Sequence, residues 1–200
     1  MLVVLAAVAL LAPRRAHAQS APEPPWNARL WYGADLKVSP IGTDQSLSPG
    51  REGTSDLDTM YTLGGVFDVR VLPFVSIGVA PSLILNWAFR GESMLLDLPA
   101  RMTVGAQVAP GTRLYAFGTA GYEHTIGFPS DNPNEESARG WVVSAGAGVA
   151  HRIMPRLAVT GEIGYQVHFM TASIFDDEHV DISLRLRCLS LSIGLMAPID

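Results

Sequence analysis

Apolar residues alternate with small or polar residues along most of the chain, beginning near Trp31. This period of two predicts β-strands, because successive side chains of a strand point to opposite faces of a sheet. In the clearest segment, every second residue is apolar or Gly: Tyr61, Leu63, Gly65, Phe67, Val69 and Val71. The pattern predicts eight strands, at about 29–38, 59–72, 74–88, 95–108, 113–126, 140–152, 157–170 and 181–196.

The predicted strands are long, and the connections between them alternate between short and long. Strands of soluble proteins average about five or six residues, whereas a tilted strand needs roughly nine to eleven to cross a bilayer. Turns are short around 72–74, 109–112 and 154–156, and long polar connections occupy 39–58, 89–94, 127–139 and 171–180. This alternation is typical of a barrel inserted into a membrane from one side. The fold prediction is all-β, an eight-stranded antiparallel up-and-down transmembrane β-barrel.

Two irregularities are predicted within these strands. Pro81 removes a backbone donor from the middle of the third strand, which favours a bulge there. The apolar positions of the last strand change phase between Leu186 and Leu189. This change predicts a second bulge near Arg187 and Cys188.

The second face of the strands carries glycines, serines and charges of both signs. An eight-stranded barrel has a lumen just wide enough to be filled by side chains, and charges buried there must pair. Glycines on this face leave room for long side chains. The predicted polar network of the lumen consists of Asp68, Arg70, Asp97, Arg101, Arg152, Glu162, His168 and Arg185.

Aromatic residues near the strand ends predict girdles at the two membrane surfaces, since amphipathic rings favour the headgroup level. Tyr61, Trp87, Trp141 and Phe169 fall near the end that carries the long loops, and Trp31 falls near the opposite end.

The composition of the chain is more apolar than that of a typical soluble protein. Hydrophobic residues make up 48% of the chain and charged residues 16%, below the roughly quarter that is typical of soluble proteins. Residues 1–18 have the apolar run and Ala-x-Ala end of a signal peptide. Residues 19–27 are predicted to form a Pro-rich leader, and 28–197 the barrel. The single cysteine excludes an intramolecular disulfide. A net charge of −5 without a basic stripe predicts no nucleic-acid partner.

The chain resembles the small outer-membrane β-barrel superfamily of the OmpA-transmembrane and OmpX-like type, over about residues 28–197. The resemblance rests on the signal sequence, the strand count, the short Pro-containing turns and two strand phrases, 96–99 (LDLP) and 145–149 (AGAGV). It implies residence in the outer membrane, with lipid as a partner. Members of this superfamily often end on an aromatic residue, whereas this chain ends Pro198-Ile199-Asp200.

The function predicted for the chain is non-catalytic: a structural, envelope-integrity or surface-interaction role through loops 39–58, 127–139 and 171–180. One alternative is a soluble periplasmic lipocalin-like barrel that binds an apolar ligand inside, with its charges facing water. Another is a lipid-A-modifying enzyme using His168 with Ser173, or His124 beside Glu123.

No cofactor and no metal site is predicted. The histidines beyond the signal segment show no short ligand spacing: His124, His151, His168 and His179. The acidic run at 176–179 has carboxylates suited to a hard cation, and the simpler interpretation is a solvated loop.

Overall fold

The computed structural model describes residues 29–48, 51–56, 59–85, 93–127, 137–175 and 179–199. No helix in these segments is long and apolar enough to cross a membrane. The predicted signal peptide, the leader and Trp87 lie outside the described residues. The strands are β1 (Leu30–Ser48), β2 (Arg51–Asp56), β3 (Met60–Leu72), β4 (Val75–Val79), β5 (Ser82–Ile84), β6 (Ser93–Ala109), β7 (Thr112–Gly127), β8 (Ser137–Met154), β9 (Leu157–Phe175) and β10 (His179–Ile199).

The strands form one closed antiparallel sheet. Strands β6 to β10 pair in chain order, and β1 pairs with both β3 and β10, which closes the ring. Strands β4 and β5 occupy a single position between β3 and β6, so that the ring has eight positions. The predicted all-β, eight-stranded barrel is confirmed. The first and last strands meet where Leu30 pairs with Ile199, at the end with the short turns. The barrel therefore extends to Ile199, two residues beyond the predicted boundary.

Three short turns close one end of the barrel, as the sequence predicts. The turn between β6 and β7 contains Gly111 with φ of 73°. Glycine adopts this left-handed conformation without the steric cost that a Cβ adds, so Pro110-Gly111 reverses the chain within two residues.

Much of the connection predicted over 39–58 is instead an extended β-hairpin, so that part of the loop prediction is wrong. Strand β1 continues to Ser48, and β2 returns along it. Ser39 pairs with Met60, and Thr43 pairs with Asp56 four residues further on both strands. Because β2 keeps the register of β3, the two are segments of one hairpin arm. The polar sequence suggested a loop, but backbone pairing in a hairpin does not require apolar residues.

Neither predicted bulge is present. Val79 pairs with Phe67 and Ser82 with Gly64, three residues further on each strand, so the register is the same on both sides of Pro81. The Pro81 carbonyl still accepts a hydrogen bond from the Gly65 N–H at 2.8 Å, and only one ladder donor is lost.

Strand β10 likewise pairs with β9 in unbroken register through Arg187 and Cys188. The register shift lies in its other neighbour, β1, between Val38 and Ile41, around Pro40. The apparent phase change of β10 has another cause. Along the chain its inward positions change from large apolar residues, Leu184 and Leu186, to small ones such as Ser190, and the alternation of its faces continues.

Candidate functional site

The outer surface of the barrel is apolar. Leu63, Phe67, Ile77 and Ile163 are each 48–51% exposed. The charged face of the same strands points inward, where Asp68 and Arg101 are buried. A soluble barrel that binds an apolar ligand needs the opposite arrangement, so the lipocalin-like alternative is wrong.

Aromatic side chains cluster on this surface toward the loop end. Trp141 is 63% exposed and packs edge-on against Tyr122, with ring centroids 6.0 Å apart. Phe169 is the cross-strand neighbour of Trp141 and also faces outward. Tyr61 faces outward from β3. Tyr61, Trp141 and Phe169 thus face outward together with Tyr122, and their role in an aromatic girdle stays a prediction.

Trp31 does not belong to a girdle, and this part of the prediction is wrong. Its side chain is only 5% exposed and lies inside the barrel with Tyr115, Ala150 and Ala158. The period of two gave no inside face for the first strand. The observed register assigns one, because Trp31 shares the inward phase of Asp35.

The half of the lumen near the short turns is filled by a charged network around Arg101. Its guanidinium makes two hydrogen bonds to Glu162, of 2.5 Å and 3.3 Å, and its Nε lies 3.9 Å from Asp68 Oδ2. Tyr115 donates its hydroxyl to Glu162 Oε1 at 2.6 Å. Bidentate Arg–carboxylate pairs of this kind join strong hydrogen bonds to charge compensation. The network links β3, β6, β7 and β9 across the lumen.

Aromatic rings, more than charged chains, occupy the space that glycines leave. A Cβ on Gly148 would lie 2.6 Å from the Tyr115 ring, and one on Gly146 would lie 2.7 Å from the Phe117 ring. The Arg101 guanidinium stands 4.7 Å from the Phe117 ring centroid, within cation–π range. The glycine-lined strand β8 thus lets two rings lie flat and flank the central arginine.

A second polar cluster lies nearer the loop end. His168 Nδ1 is 2.6 Å from Glu123 Oε2, and both side chains are fully buried. Ser82 donates its hydroxyl to the buried Asp97 at 3.1 Å. Register brings these residues together from strands β5, β6, β7 and β9, which no spacing in the sequence indicates.

An apolar layer closes the lumen on the loop side of this cluster. It is formed by buried apolar residues of six strands: Met60, Ile84, Leu95, Ala138, Met170, Leu184, Leu186 and Cys188. Leu95 and Met170 lie two residues further out than Asp97 and His168 on the same strands, whereas Leu186 pairs with His168 itself. This apolar layer is the feature that suggested a bulge in β10, where Leu184, Leu186 and Cys188 all point inward.

A small cavity of about 30 Å³ separates the two polar clusters. Asp97, Arg101, Glu162 and Gln166 contribute to its wall. A volume of this size corresponds to about two water molecules. Within the strands that the structure describes, the lumen is therefore a packed interior with space for a few water molecules.

The remaining predicted lumen residues differ in placement. Arg70 and Arg152 lie on inward positions at the short-turn end, and both are partly buried. Arg185 was predicted to be inside and is not: its guanidinium lies 4.9 Å from the centroid of the outward-facing Phe169 ring. The assumed phase change in β10 caused this error.

Several inward polar residues were missed: Asp35, Lys37, Arg113, Tyr115 and Glu123. Asp35 and Lys37 lie on β1, whose inside face could not be assigned. Arg113, Tyr115 and Glu123 lie on β7, where aromatic and apolar residues on both faces obscure the alternation.

The hypothesis of a Ser–His catalytic pair finds no support in the barrel. His168 is fully buried beneath the apolar layer, away from any lipid substrate. Ser173 lies five residues further along β9, near the end of that strand. His124 faces outward beside Tyr122 with ring centroids 6.5 Å apart, whereas Glu123 points inward to His168.

Comparison with known proteins identifies the architecture. No protein-family model and no curated protein matches the sequence. Neisserial surface protein A matches the fold with a TM-score of 0.57 at 10% identity, over 85% of this chain and 97% of that one. OprG, an outer membrane protein from Pseudomonas aeruginosa, matches with a TM-score of 0.58 at 11% identity, over 85% of this chain and 94% of that one.

The fold is that of a small outer-membrane β-barrel. The outer membrane protein AlkL, whose structure was determined in DMPC lipid bilayers, extends the likeness to 94% of this chain and 98% of that one, with a TM-score of 0.50 at 12% identity. The resemblance drawn from the sequence is thus confirmed at the level of the fold.

Proposed function

We propose that this protein is a non-catalytic outer-membrane β-barrel, closed to free diffusion, whose role is exercised by the strands and connections at its long-loop end. The observation that carries the proposal is the orientation of its two faces. Apolar side chains cover the outside, and paired charges fill the inside. Burying the charges and exposing the apolar face stabilises the barrel only where hydrocarbon surrounds it.

The packed lumen supports a closed barrel over a pore. The apolar layer lies across the loop side, and the Arg101–Glu162 pair lies across the middle. The cavity between the two polar clusters has a volume of about 30 Å³, room for about two water molecules, so side chains fill most of the lumen there.

The outward arginines at the loop end fit contact with anionic lipid headgroups. Arg139 and Arg187 are exposed, and Arg185 extends along the Phe169 ring. Long basic side chains commonly extend to the interface while their aliphatic stems cover apolar surface. Outer-membrane lipid is therefore the proposed partner of this surface.

The surface-interaction role rests on ladders that continue toward the loop end beyond the aromatic cluster. The β1–β2 hairpin pairs as far as Ser48 and Arg51, and the β9–β10 pair as far as Phe175 and His179. Among the described residues β2 pairs only with β1, so its other edge can accept an extended segment of a partner. We propose the ends of loops 39–58, 127–139 and 171–180 as the contact region for an extracellular ligand or surface partner.

Membrane fractionation and heat-modifiable gel migration test the location. We expect the full chain in the outer-membrane fraction, with unheated protein migrating differently from heated protein. Recovery as soluble periplasmic protein would contradict the proposal.

Reconstituted vesicles should show no sugar uptake above protein-free vesicles, and rapid uptake would contradict a closed lumen.

A hairpin replacement tests the role of the loop end. Replacing residues 43–56 with a two-residue Asn-Gly turn should leave heat-modifiable migration unchanged and abolish binding of cells to a host matrix or surface. Undiminished binding by a correctly inserted variant would contradict the role of this hairpin.

Lipid A should have the same mass with and without the protein. A mass change that is lost on His168→Asn would instead support the enzyme alternative.

A further inference from the structure

Asp97, Glu123 and His168 meet inside the barrel although they are far apart in the sequence. They come from strands β6, β7 and β9, and one ligand atom of each lies within 4.8 Å of the ligand atoms of the other two. All three side chains are buried. The cluster is therefore built by strand register.

Three polar atoms of this cluster have no hydrogen-bond partner. They are Oδ1 of Asp97, Oε1 of Glu123 and Nε2 of His168. Buried polar atoms in folded proteins are nearly always paired, and an unpaired one points to a bound ion or water. Each of the three residues contributes one such atom, and each atom is a potential metal ligand.

The hydrogen bond within the cluster orients the imidazole in a way that is compatible with metal binding. His168 Nδ1 lies 2.6 Å from Glu123 Oε2. When Nδ1 donates its proton to the carboxylate, Nε2 keeps its lone pair. Metal-binding histidines are usually oriented by a carboxylate in this way.

We propose that Asp97, Glu123 and His168 bind one divalent transition-metal cation, for which Zn²⁺ is the test ion. One imidazole nitrogen and two carboxylate oxygens form a ligand set that suits zinc. Two carboxylates balance the charge of the ion while His168 is neutral. Any proton that His168 carries leaves to solvent when the metal binds.

The surroundings complete the site. Three protein ligands leave one position of a tetrahedral ion for water, and the cavity that reaches Asp97, about 30 Å³, has room for it. Ser82 holds Asp97 by a hydrogen bond at 3.1 Å, as outer groups commonly orient a ligand. The thiol of Cys188 also neighbours His168.

The apolar layer determines how the ion enters. Leu95, Leu186 and their neighbours separate the cluster from the loop end. We therefore expect the metal to be captured while the barrel folds and to be retained afterwards. The role of the ion is structural, since no substrate reaches the site.

The test is refolding of the full chain from urea into detergent micelles with excess Zn²⁺, followed by removal of free metal with a chelator and counting of bound zinc by mass spectrometry. We expect about one zinc per folded chain. Refolding with the chelator present throughout should yield a barrel that loses its heat-resistant form at a lower temperature.

Asp97→Asn and Glu123→Gln keep the side-chain volume and remove one ligand charge each, and His168→Asn removes the imidazole. Each should lower retained zinc at least tenfold. Asp35→Asn is the matched control, because it alters an inward carboxylate of the same lumen outside the cluster. It should retain about one zinc per chain.

Heat-modifiable migration confirms that each variant is folded before zinc is counted. If His168→Asn does not fold, Asp97→Asn and Glu123→Gln decide the outcome. Wild-type protein that holds no more zinc than these variants would overturn the proposal. Equal heat resistance with and without zinc would also overturn it, and would assign the cluster to a protonated His168 held between two carboxylates.

Discussion

Different kinds of side chain fill the two halves of the narrow lumen. Near the short turns, Arg101 is held by Glu162, Tyr115 and Asp68, and rings lie against glycines. Near the loops, apolar side chains pack into a layer with one small polar cluster beneath it. The stability of the charged half depends on every charged group keeping its partner. The stability of the apolar half depends on side chains that fill the available volume. The two ends of the lumen therefore differ, and the apolar layer lies at the loop end.

Removing the central arginine should have the largest effect. Arg101→Met keeps an unbranched apolar stem but removes the guanidinium, which leaves Glu162 and Asp68 buried without their cation. Breaking a buried ion pair by removing one partner costs about 3–5 kcal/mol. Urea unfolding in lipid vesicles measures this loss. The double variant Arg101→Met with Glu162→Gln should recover part of it. A loss below about 1 kcal/mol for the single variant would contradict the importance of the network.

Truncation in the apolar layer should cost slightly less. Leu186→Ala leaves a cavity among closely packed neighbours, and such substitutions cost about 2–5 kcal/mol. The control is Leu191→Ala on the outer face of the same strand, where lipid can fill the space. The same unfolding measurement should give a smaller loss for the control. Equal losses of unfolding free energy at the two positions would contradict the distinction between the apolar layer and the lipid-facing surface.

Glycines in and around the charged half differ in the space available for an added Cβ. In Gly148→Ala the new Cβ would lie 2.6 Å from the Tyr115 ring, so the ring must move away from Glu162. Overpacking of this kind costs about 1–3 kcal/mol. Gly118→Ala is the control, because the nearest atom to its Cβ would be 3.9 Å away. The control should match the wild type in unfolding free energy. A stability loss in Gly118→Ala and none in Gly148→Ala would contradict the proposed packing.

The smallest effect should come from an arginine outside both halves. Arg185→Ala removes a side chain that rests on the outward Phe169 ring. A surface substitution usually changes stability by at most about 0.5 kcal/mol. Urea unfolding beside Arg101→Met gives the comparison. If Arg185→Ala were as damaging as Arg101→Met, Arg185 would have to lie in the lumen after all.

The strand count, the antiparallel order and most inward and outward positions could be predicted from the sequence. Alternation with a period of two carries this information locally, as in β3, where Asp68 and Phe67 fall on the expected faces. The prediction failed where both faces have the same polarity. Along β10 the inward residues change from large apolar to small ones. This change was interpreted as a bulge, and Arg185 was therefore assigned to the wrong face.

Partners across the barrel could not be predicted, because they depend on register between distant strands. Glu123 and His168 lie in strands that are not neighbours, and only closure of the ring brings them to hydrogen-bond distance. The Arg101–Glu162 pair was predicted as part of a shared network, but its bidentate geometry follows from shear and side-chain packing. The same limit explains why the position of Trp31 was assigned wrongly.

The central claim is that lipid surrounds the apolar face and protein encloses the charged face. Nitroxide labels on single cysteines at Ile163 and Val143, in a Cys188→Ser background, test it in lipid vesicles. We expect frequent collisions with oxygen and few with a water-soluble nickel reagent. A label at Arg139 toward the loop end should show the reverse. High nickel accessibility at Ile163 and Val143 would contradict a membrane-embedded barrel.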